Sequence, residues 1–232
     1  MSLEDWEQPV ACLDMAGTTV SDGGAVNQAF EAGLDVGGIG PNSPRRQEAM
    51  TYVADTMGQS KLEVFTHVLG DARMAQTALA AFEARWDQLL RDGSVTPLPG
   101  AEDAIARLRQ AGWKVALLTG FPASIRDALV DHLGWSKLAD AYFCPTEAGR
   151  GRPWADMVWA SATALGASSM RALSVVGDTT SDMASGRRAG AGTVIGVLSG
   201  AARSEHLEQA GATHVVVSMV EAAEVILSRQ PA

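Results

Sequence analysis

The chain has 232 residues, 47% of them hydrophobic, and a formal net charge of −9 at pH 7. A chain of this length can bury a sizeable core, as one large domain or as a core with a smaller insert. The acidic balance, with Lys and Arg scattered along the chain, argues against a nucleic-acid partner. No apolar run approaches the ~18 residues that span a bilayer, and the first residues are acidic, so we expect no membrane association and a cytoplasmic location.

Short aliphatic runs separated by helical patterns predict five strands of an α/β protein with a parallel sheet. In chain order they are residues 10–13, 114–118, 172–176, 193–197 and 214–217. Cys12 lies in the first run and Cys144 in a further apolar stretch, without the spacing of a disulfide framework or a metal site. We therefore expect two buried, reduced thiols.

The interval from about residue 22 to 96 contains several helical patterns and no convincing strand. It predicts an inserted helical domain, with residues 1–21 and 97–232 forming the core. The clearest helix of the insert spans 73–90 and should bury a stripe of apolar residues at spacings of three and four. The stripe comprises Met74, Ala78, Leu79, Phe82, Trp86, Leu89 and Leu90.

The chain crosses between the two predicted domains twice. The outgoing segment, residues 21–24, contains two glycines, and the returning segment, residues 96–100, contains two prolines. Glycine permits bending of the backbone and proline limits it. We therefore expect a pair of hinges that directs closure of the insert over the core.

The first predicted strand leads into Asp14, which is followed by a loop of small residues. A carboxylate fixed at a strand end can act as a nucleophile. The loop residues Ala16, Gly17 and Thr18 offer backbone N–H and hydroxyl groups to a phosphate or phosphonate. Phosphate-ester hydrolases of this layout usually place a second Asp, which protonates the leaving group, at the position of Ala16. The sequence therefore predicts a nucleophile without its usual acid.

Later strand ends carry residues that fit the same site. The second strand leads into Thr119 and Gly120, which can hold a phosphoryl oxygen, and Arg152 supplies a cation against the crowded negative charge. Asp178 and Asp182 flank a helix start and, with the first carboxylate, can hold one Mg²⁺ ion. Each element alone has a structural explanation, as a helix cap or a turn. Their joint appearance at successive strand ends favours a common site.

The chain resembles the haloacid dehalogenase superfamily at the four motifs of that superfamily. The matching residues are Asp14, Thr119, Arg152 and the pair Asp178 and Asp182. The resemblance implies a Rossmann-like core with a mobile α-helical cap, dependence on Mg²⁺ and an aspartyl-phosphate intermediate on Asp14. It also implies that the backbone carbonyl of residue 16 is a metal ligand, which Ala16 can supply.

A more specific resemblance is to phosphonoacetaldehyde hydrolases and phosphonatase-like hydrolases. The matching stretches are residues 14–20, 57–61, 151–153 and 176–183. The resemblance implies that Met57 and Gly58 contact a small phosphonate or phosphate substrate. It also implies that Lys61 forms a Schiff base with a substrate aldehyde, and it points to a homodimer formed through the cap helices.

The missing acid at Ala16 and the presence of Lys61 have a common chemical explanation. Cleaving a C–P bond leaves a carbanion, which a protonated imine stabilises as an enamine and a carboxylic acid does not. For this chemistry Lys61 must lose its proton near neutral pH, so burial or a nearby cation should lower its pKa. The alternative is that Lys61 only begins a surface helix capped by Ser60.

The chain departs from the phosphonoacetaldehyde hydrolases at Val64, Phe121 and Gly24, where that family carries His, Tyr and Cys. Three functions therefore remain open. The first is Mg²⁺-dependent hydrolysis of a small carbonyl-bearing phosphonate or phosphate. The second is hydrolysis of phosphate esters with good leaving groups, and the third is phosphate binding without catalysis. His67, six residues after Lys61, is interpreted as an ordinary, partly buried histidine.

Overall fold

Eight strands form two sheets in residues 8–228, the part of the chain that the computed structural model describes. The strands are β1 (Val10–Asp14), β2 (Val20–Ser21), β3 (Thr96–Pro97), β4 (Lys114–Leu118), β5 (Ala141–Phe143), β6 (Leu173–Gly177), β7 (Thr193–Val197) and β8 (His214–Val216). Six of them form one parallel sheet in the order β5–β4–β1–β6–β7–β8. The acidic N-terminal segment lies outside the described residues.

The helices of the described residues fall into two groups. Four lie between β2 and β3: α1 (Ala25–Val36), α2 (Arg46–Asp55), α3 (Lys61–Leu69) and α4 (Ala72–Arg91). The others accompany the strands of the large sheet: α5 (Ala101–Gln110), α6 (Ala123–His132), α7 (Pro145–Ala148), α8 (Asp156–Ala164), α9 (Thr180–Ala189), α10 (Ser204–Gln209) and α11 (Met219–Ser228). Within residues 8–228, no helix combines the length and apolar character needed to cross a membrane.

The central strand β1 explains how the sheet positions polar residues. All five residues of β1 are buried, which suits a parallel strand covered by helices on both faces. β1 pairs with β4 on one side and with β6 on the other, with Val10 opposite both Lys114 and Leu173. The carboxyl ends of these three neighbouring strands therefore meet at one edge, where α/β proteins bind their ligands.

The α/β architecture predicted from the sequence is confirmed, since all five predicted runs form strands of the parallel sheet. The sixth strand, β5, is not predicted by the pattern, because it has only three residues and all are half-buried. Ala172 closes a short 3₁₀ turn instead of beginning β6. Cys12 and Cys144 are free and buried, as predicted.

The helices between β2 and β3 bury an aromatic centre. The rings of Phe30 and Phe82 lie 5.0 Å apart between their centroids, and Phe65 lies 5.2 Å from Phe30. Helix α4 matches the predicted helix closely, but the prediction that Met74 is buried is wrong, because Met74 is 41% exposed. It lies in the first turn of α4, where Ala75 takes the buried position instead.

A small antiparallel ribbon ties the two crossing segments together. In it, β2 pairs with β3 through Val20 opposite Pro97 and Ser21 opposite Thr96. The Leu98 amide also donates to the Thr19 carbonyl at 2.9 Å. The ribbon joins the two segments in which the sequence places hinges. Closure about this ribbon, with residues 22–96 as the moving part, stays a prediction.

Candidate active site

The site is built around an ion pair between Asp14 and Arg152. Asp14 is the last residue of β1, and its Oδ1 atom lies 2.8 Å from Arg152 Nη1. Arg152 Nε lies 2.7 Å from Asp182 Oδ1, so one guanidinium bridges two carboxylates. All three side chains are buried. A buried guanidinium of this kind offsets negative charge that would otherwise be costly to bury.

The loop after β1 is compact because its backbone folds onto itself. The Met15 carbonyl accepts hydrogen bonds from the amides of Thr18, Thr19 and Val20, and the Gly17 amide donates to the Val20 carbonyl at 2.8 Å. Gly17 has a φ of 88°, and a Cβ atom at this position would collide with the Asp178 carboxylate. Glycine is therefore required here by both the backbone conformation and the space.

Asp14, Asp178 and Asp182 form a buried carboxylate triad. One oxygen atom of each lies within 4.8 Å of the others. Burial, together with the neighbouring carboxylates, raises the pKa of Asp14 well above its ordinary value, although the Arg152 guanidinium works against this. Burial and the charge of Asp182 raise the pKa of Asp178 to about 7. A cation between the carboxylates would favour their ionised forms.

The donor set fits a hard divalent cation. Three carboxylate oxygens converge, and ions such as Mg²⁺ prefer oxygen ligands. Backbone amides fix one oxygen of each of two carboxylates. Asp178 Oδ2 accepts from the Ala201 amide at 2.7 Å, and Asp182 Oδ2 accepts from the Thr179 amide at 3.1 Å. Asp182 Oδ1 is buried and, within residues 8–228, accepts no aligned hydrogen bond despite its ion pair with Arg152.

Lys61 is a buried amine beside this triad. It begins α3, but its side chain is 5% exposed, and Ser60 makes no side-chain capping hydrogen bond. Lys61 Nζ lies 5.4 Å from the ring centroid of Phe30 and 5.2 Å from that of Phe121. Burial lowers the pKa of Lys61 to about 8, while the charge of Asp14 acts in the opposite direction. The alternative that Lys61 only begins a surface helix capped by Ser60 is therefore wrong, because the side chain is buried and the capping hydrogen bond is absent.

A cavity of about 280 Å³ connects Lys61 with Asp14. Most of the predicted site residues line it: Asp14, Ala16, Gly17, Met57, Gly58, Lys61, Thr119, Gly120, Arg152 and Asp178. Thr18 and Asp182 lie behind the wall, where the Thr18 hydroxyl is 3.4 Å from Asp178 Oδ1. Thr18 is thus placed to orient a carboxylate, whereas the sequence places it among the substrate-binding residues.

Sequence reasoning misses two other parts of the cavity wall. Ser21, Asp22 and Asn27 reach it from the segment between β2 and the first turn of α1. Residues 199–201 reach it from the loop after β7. The same strand-end rule that identifies Asp14 could have found the second group, because this loop follows a parallel strand. The first group carries no comparable signal.

The loop before Lys61 packs directly on the large sheet's loops. Arg152 Nη1 donates to the Gly58 carbonyl at 3.3 Å. A Cβ atom on Gly120 would lie 2.5 Å from the Gln59 carbonyl oxygen, and one on Gly58 would lie 2.7 Å from Thr179 Oγ1. Side chains at these glycines would therefore hold the two loops apart. Their absence is what lets Lys61 share a cavity with Asp14.

The fold and the carboxylate-rich site define a family. The profile of the haloacid dehalogenase-like hydrolases matches residues 9–190, which is most of the chain. The chain therefore belongs to the haloacid dehalogenase-like hydrolase family, as its four motifs predict.

Within this family, the chain is similar to proteins that act on a phosphonate. Phosphonoacetaldehyde hydrolase from Bacillus cereus (strain AH187) is 34% identical over 137 residues, which are 58% of this chain and 51% of that protein. The enzyme of the same name from Pseudomonas fluorescens (strain SBW25) is 38% identical over 113 residues, 48% of this chain and 41% of that protein. The chain spans about half the length of the curated relatives it matches.

Solved structures agree on the fold. A phosphonoacetaldehyde hydrolase-like protein from Oleispira antarctica superposes with a TM-score of 0.75 at 24% identity, over 95% of this chain and 91% of that one. At this level of identity the similarity supports the architecture alone.

Proposed function

We propose that this protein is a Mg²⁺-dependent hydrolase of a small phosphonate or phosphate that carries a carbonyl group. In this proposal Asp14 forms an aspartyl-phosphate intermediate and Lys61 forms an imine with the carbonyl. The observation that carries it is the shared cavity: a buried amine and a strand-end carboxylate face the same space. The names of the B. cereus and P. fluorescens relatives point to the same substrate class.

The cavity suits a small charged substrate. Its volume of about 280 Å³ is at the lower limit of ordinary ligand pockets. Arg152 and Thr119 stand at its Asp14 end, where a phosphoryl group would be held by a cation and a hydroxyl. Phe30 and Phe121 flank the amine at the Lys61 end. The two ends thus differ in chemistry, as a phosphoryl group and a short carbon chain require.

The three aspartates and the backbone carbonyl of Ala16 would hold Mg²⁺. The ion would neutralise charge on the phosphoryl group while Asp14 approaches it. The positive charge of Arg152 also offsets the negative charge of the site, since its guanidinium contacts two of the carboxylates.

In the proposed reaction, two covalent bonds to the protein form in turn. The neutral Lys61 amine adds to the carbonyl carbon, and the hydroxyl group of the adduct takes up one proton and leaves as water, giving a protonated imine. The Asp14 carboxylate then bonds to phosphorus while the C–P electron pair moves into the imine, which becomes an enamine. The enamine takes a proton at carbon. One water molecule then releases the aldehyde from Lys61, and another releases phosphate from Asp14. Because imine formation releases one water molecule, the reaction consumes one overall.

Borohydride trapping tests this proposal. Reduction of the protein in the presence of phosphonoacetaldehyde should fix a two-carbon adduct on Lys61, which peptide mass spectrometry locates. Lys61→Arg keeps a positive charge but cannot form the imine, so it should yield no adduct. Hydrolysis without any adduct on the wild-type lysine would overturn the Schiff-base step.

A second candidate function is hydrolysis of phosphate esters with good leaving groups. It is favoured by the apolar residues Val64 and Phe121, which stand where the phosphonoacetaldehyde hydrolases carry His and Tyr. A panel of aryl, acyl and alkyl phosphates distinguishes the two. If aryl and acyl phosphates are hydrolysed far faster than phosphonoacetaldehyde, Lys61 is an electrostatic specificity residue. If Asp14→Asn leaves the cellular phenotype unchanged and the protein hydrolyses no compound of the panel, the third function, phosphate binding without catalysis, is favoured.

A further inference from the structure

One carboxylate of the cavity wall has no part in the chemistry described so far. Of the titratable residues that line the cavity, Asp14, Arg152 and Asp178 belong to the phosphoryl end and Lys61 is the amine. The remaining one is Asp22, in the segment between β2 and α1. It lies outside the triad and outside the contacts of Arg152.

Asp22 is held by the start of α1. Its Oδ2 atom accepts a hydrogen bond from the Val26 amide at 2.9 Å, and its carbonyl accepts from the Ala25 amide at 2.7 Å. Among residues 8–228, the structure gives its other oxygen, Oδ1, no hydrogen-bond donor. One oxygen thus fixes the carboxylate of this half-buried residue, and the other is free to accept a hydrogen bond from water or a ligand.

The same helix carries one of the rings that flank the amine. Phe30 lies eight residues after Asp22, about 12 Å along the chain direction of α1, and its ring centroid is 5.4 Å from Lys61 Nζ. The charge of Asp22 reaches the amine, since it is among the groups that raise the pKa of Lys61. Asp22 and Lys61 therefore line the same cavity, and Asp22 reaches it from the segment that enters α1.

Imine formation at Lys61 needs a group that moves protons. Burial lowers the pKa of Lys61 to about 8, so roughly a tenth of the amine is neutral at pH 7. The rings of Phe30 and Phe121 cannot carry a proton, and the Gln59 carbonyl, 3.5 Å from Nζ, can only accept a hydrogen bond. Asp14 and Asp178 are engaged by Arg152 and by the backbone of residue 201.

We propose that Asp22 is the acid and base of imine formation at Lys61, a step that rests on the proposed function. Asp22 and Lys61 form no direct ion pair among residues 8–228, so the carboxylate takes a proton from the Lys61 ammonium through a water molecule in the shared cavity, and the neutral amine adds to the carbonyl carbon. A proton passes from nitrogen to oxygen in the adduct. The protonated Asp22 then gives its proton to the departing hydroxyl, which leaves as water while the nitrogen lone pair forms the protonated imine. Asp22 ends as a carboxylate.

Asp22→Asn separates this role from a structural one. The amide oxygen can still accept from the Val26 amide, so α1 keeps its first hydrogen bond, but the side chain no longer carries a proton. The substitution is best made on an Asp14→Asn background, which stops phosphorus transfer and isolates the imine step. With phosphonoacetaldehyde and borohydride, we expect the Lys61 adduct to form about 100-fold more slowly. Asp55→Asn, an exposed aspartate at the end of α2 and outside the cavity wall, is the control and should trap at the parental rate.

A second measurement uses Asp22→Asn alone. Its hydrolysis of an aryl phosphate, and the competitive inhibition of that hydrolysis by inorganic phosphate, should match the wild type, because neither needs the imine. Equal trapping with and without Asp22 would overturn the inference and leave the proposed function intact. If the variant loses both trapping and aryl phosphate hydrolysis, Asp22 has a structural role and the inference is wrong. Absence of any adduct on the parental protein would remove both proposals.

Discussion

At the scale of single residues, the lowered pKa of Lys61 that the proposed imine chemistry requires comes with a cost in stability. Burial lowers its pKa from the ordinary 10.5 to about 8. A difference of that size corresponds to roughly 3 kcal/mol against burying the charged form. The faces of Phe30 and Phe121 offset part of this cost. A lysine that only begins a helix would lie in solvent, where neither the cost nor the lowered pKa would arise.

Replacing this lysine should separate stability from activity. We expect Lys61→Met to stabilise the protein at pH 7, by up to ~3 kcal/mol, because methionine fills the same space without a buried charge. The same variant should lose hydrolysis of phosphonoacetaldehyde. Urea unfolding and a phosphate-release assay measure the two effects. A variant that is less stable than the wild type would contradict the stated cost of burial.

The pH dependence of this difference has a defined sign. Below pH 8 Lys61 is protonated in both the folded and unfolded states, and the folded state bears the cost. Between about pH 8 and 10.5 the unfolded state binds more protons, so the wild type gains stability as the pH rises. The advantage of Lys61→Met should therefore shrink across that window. Unfolding curves at pH 7 and 10 test this.

Ala16 offers the complementary change at the phosphoryl end. It lines the cavity two residues after Asp14, so Ala16→Asp would place an acid beside the leaving group. A positioned acid contributes ~10²–10⁴-fold to ester cleavage, and we expect hydrolysis of alkyl phosphates to rise by at least ~10-fold. Ala16→Asn, with the same shape and no such proton, should show no increase. Equal rates for the two variants would mean that residue 16 cannot reach the leaving oxygen.

At the scale of elements, the glycines between loops govern whether Lys61 and Asp14 share a cavity. Gly120 has no positive φ, so alanine suits its backbone, but its Cβ atom would lie 2.5 Å from the Gln59 carbonyl oxygen. Gly120→Ala should push the 57–60 loop away and displace Lys61. Because a 1 Å displacement can cost ~10²-fold, we expect trapping on Lys61 to fall far more than aryl phosphate hydrolysis. Gly40→Ala, where a Cβ atom meets open space, is the control.

The sequence predicts those elements whose pattern is strong and local. The parallel strands β1, β4 and β6 correspond to short apolar runs that lead into a polar residue, so the strand ends at Asp14, Thr119 and Asp178 can be found without a structure. The β2–β3 ribbon cannot, because two residues on each side carry no periodicity. The position of Asp22 on the cavity wall depends on how α1 meets the core, which is a matter of packing between distant segments.

At the scale of the whole molecule, the inserted helices and the sheet share one hydrophobic cluster. Trp86 of α4 lies 4.6 Å, between ring centroids, from Phe121 in the loop after β4. Phe121 also flanks the Lys61 amine, so the ring that joins the two parts of the molecule is also a wall of the cavity. The packing of the helices between β2 and β3 on the sheet therefore also forms part of the cavity wall in this conformation.

A divalent cation bound by the carboxylate triad would stabilise the folded protein. Asp14, Asp178 and Asp182 come together only in the folded chain, so an ion that binds them stabilises that state. At a hundred times its Kd, Mg²⁺ should add about 2.7 kcal/mol. For a chain of this size, that raises the melting temperature by about 5–10 °C relative to EDTA.

Asp178→Asn provides the matched control for this effect. The amide keeps an acceptor for the Ala201 amide but removes one charge from the triad. Burial beside Asp182 already raises the pKa of Asp178 to about 7, so neutralising it should make the protein in EDTA at least as stable as the wild type. Its response to Mg²⁺ should be much smaller, because one of three charged ligands is gone. Equal Mg²⁺-induced shifts in the two proteins would place the ion away from the triad, and calorimetry at matched ionic strength distinguishes these outcomes.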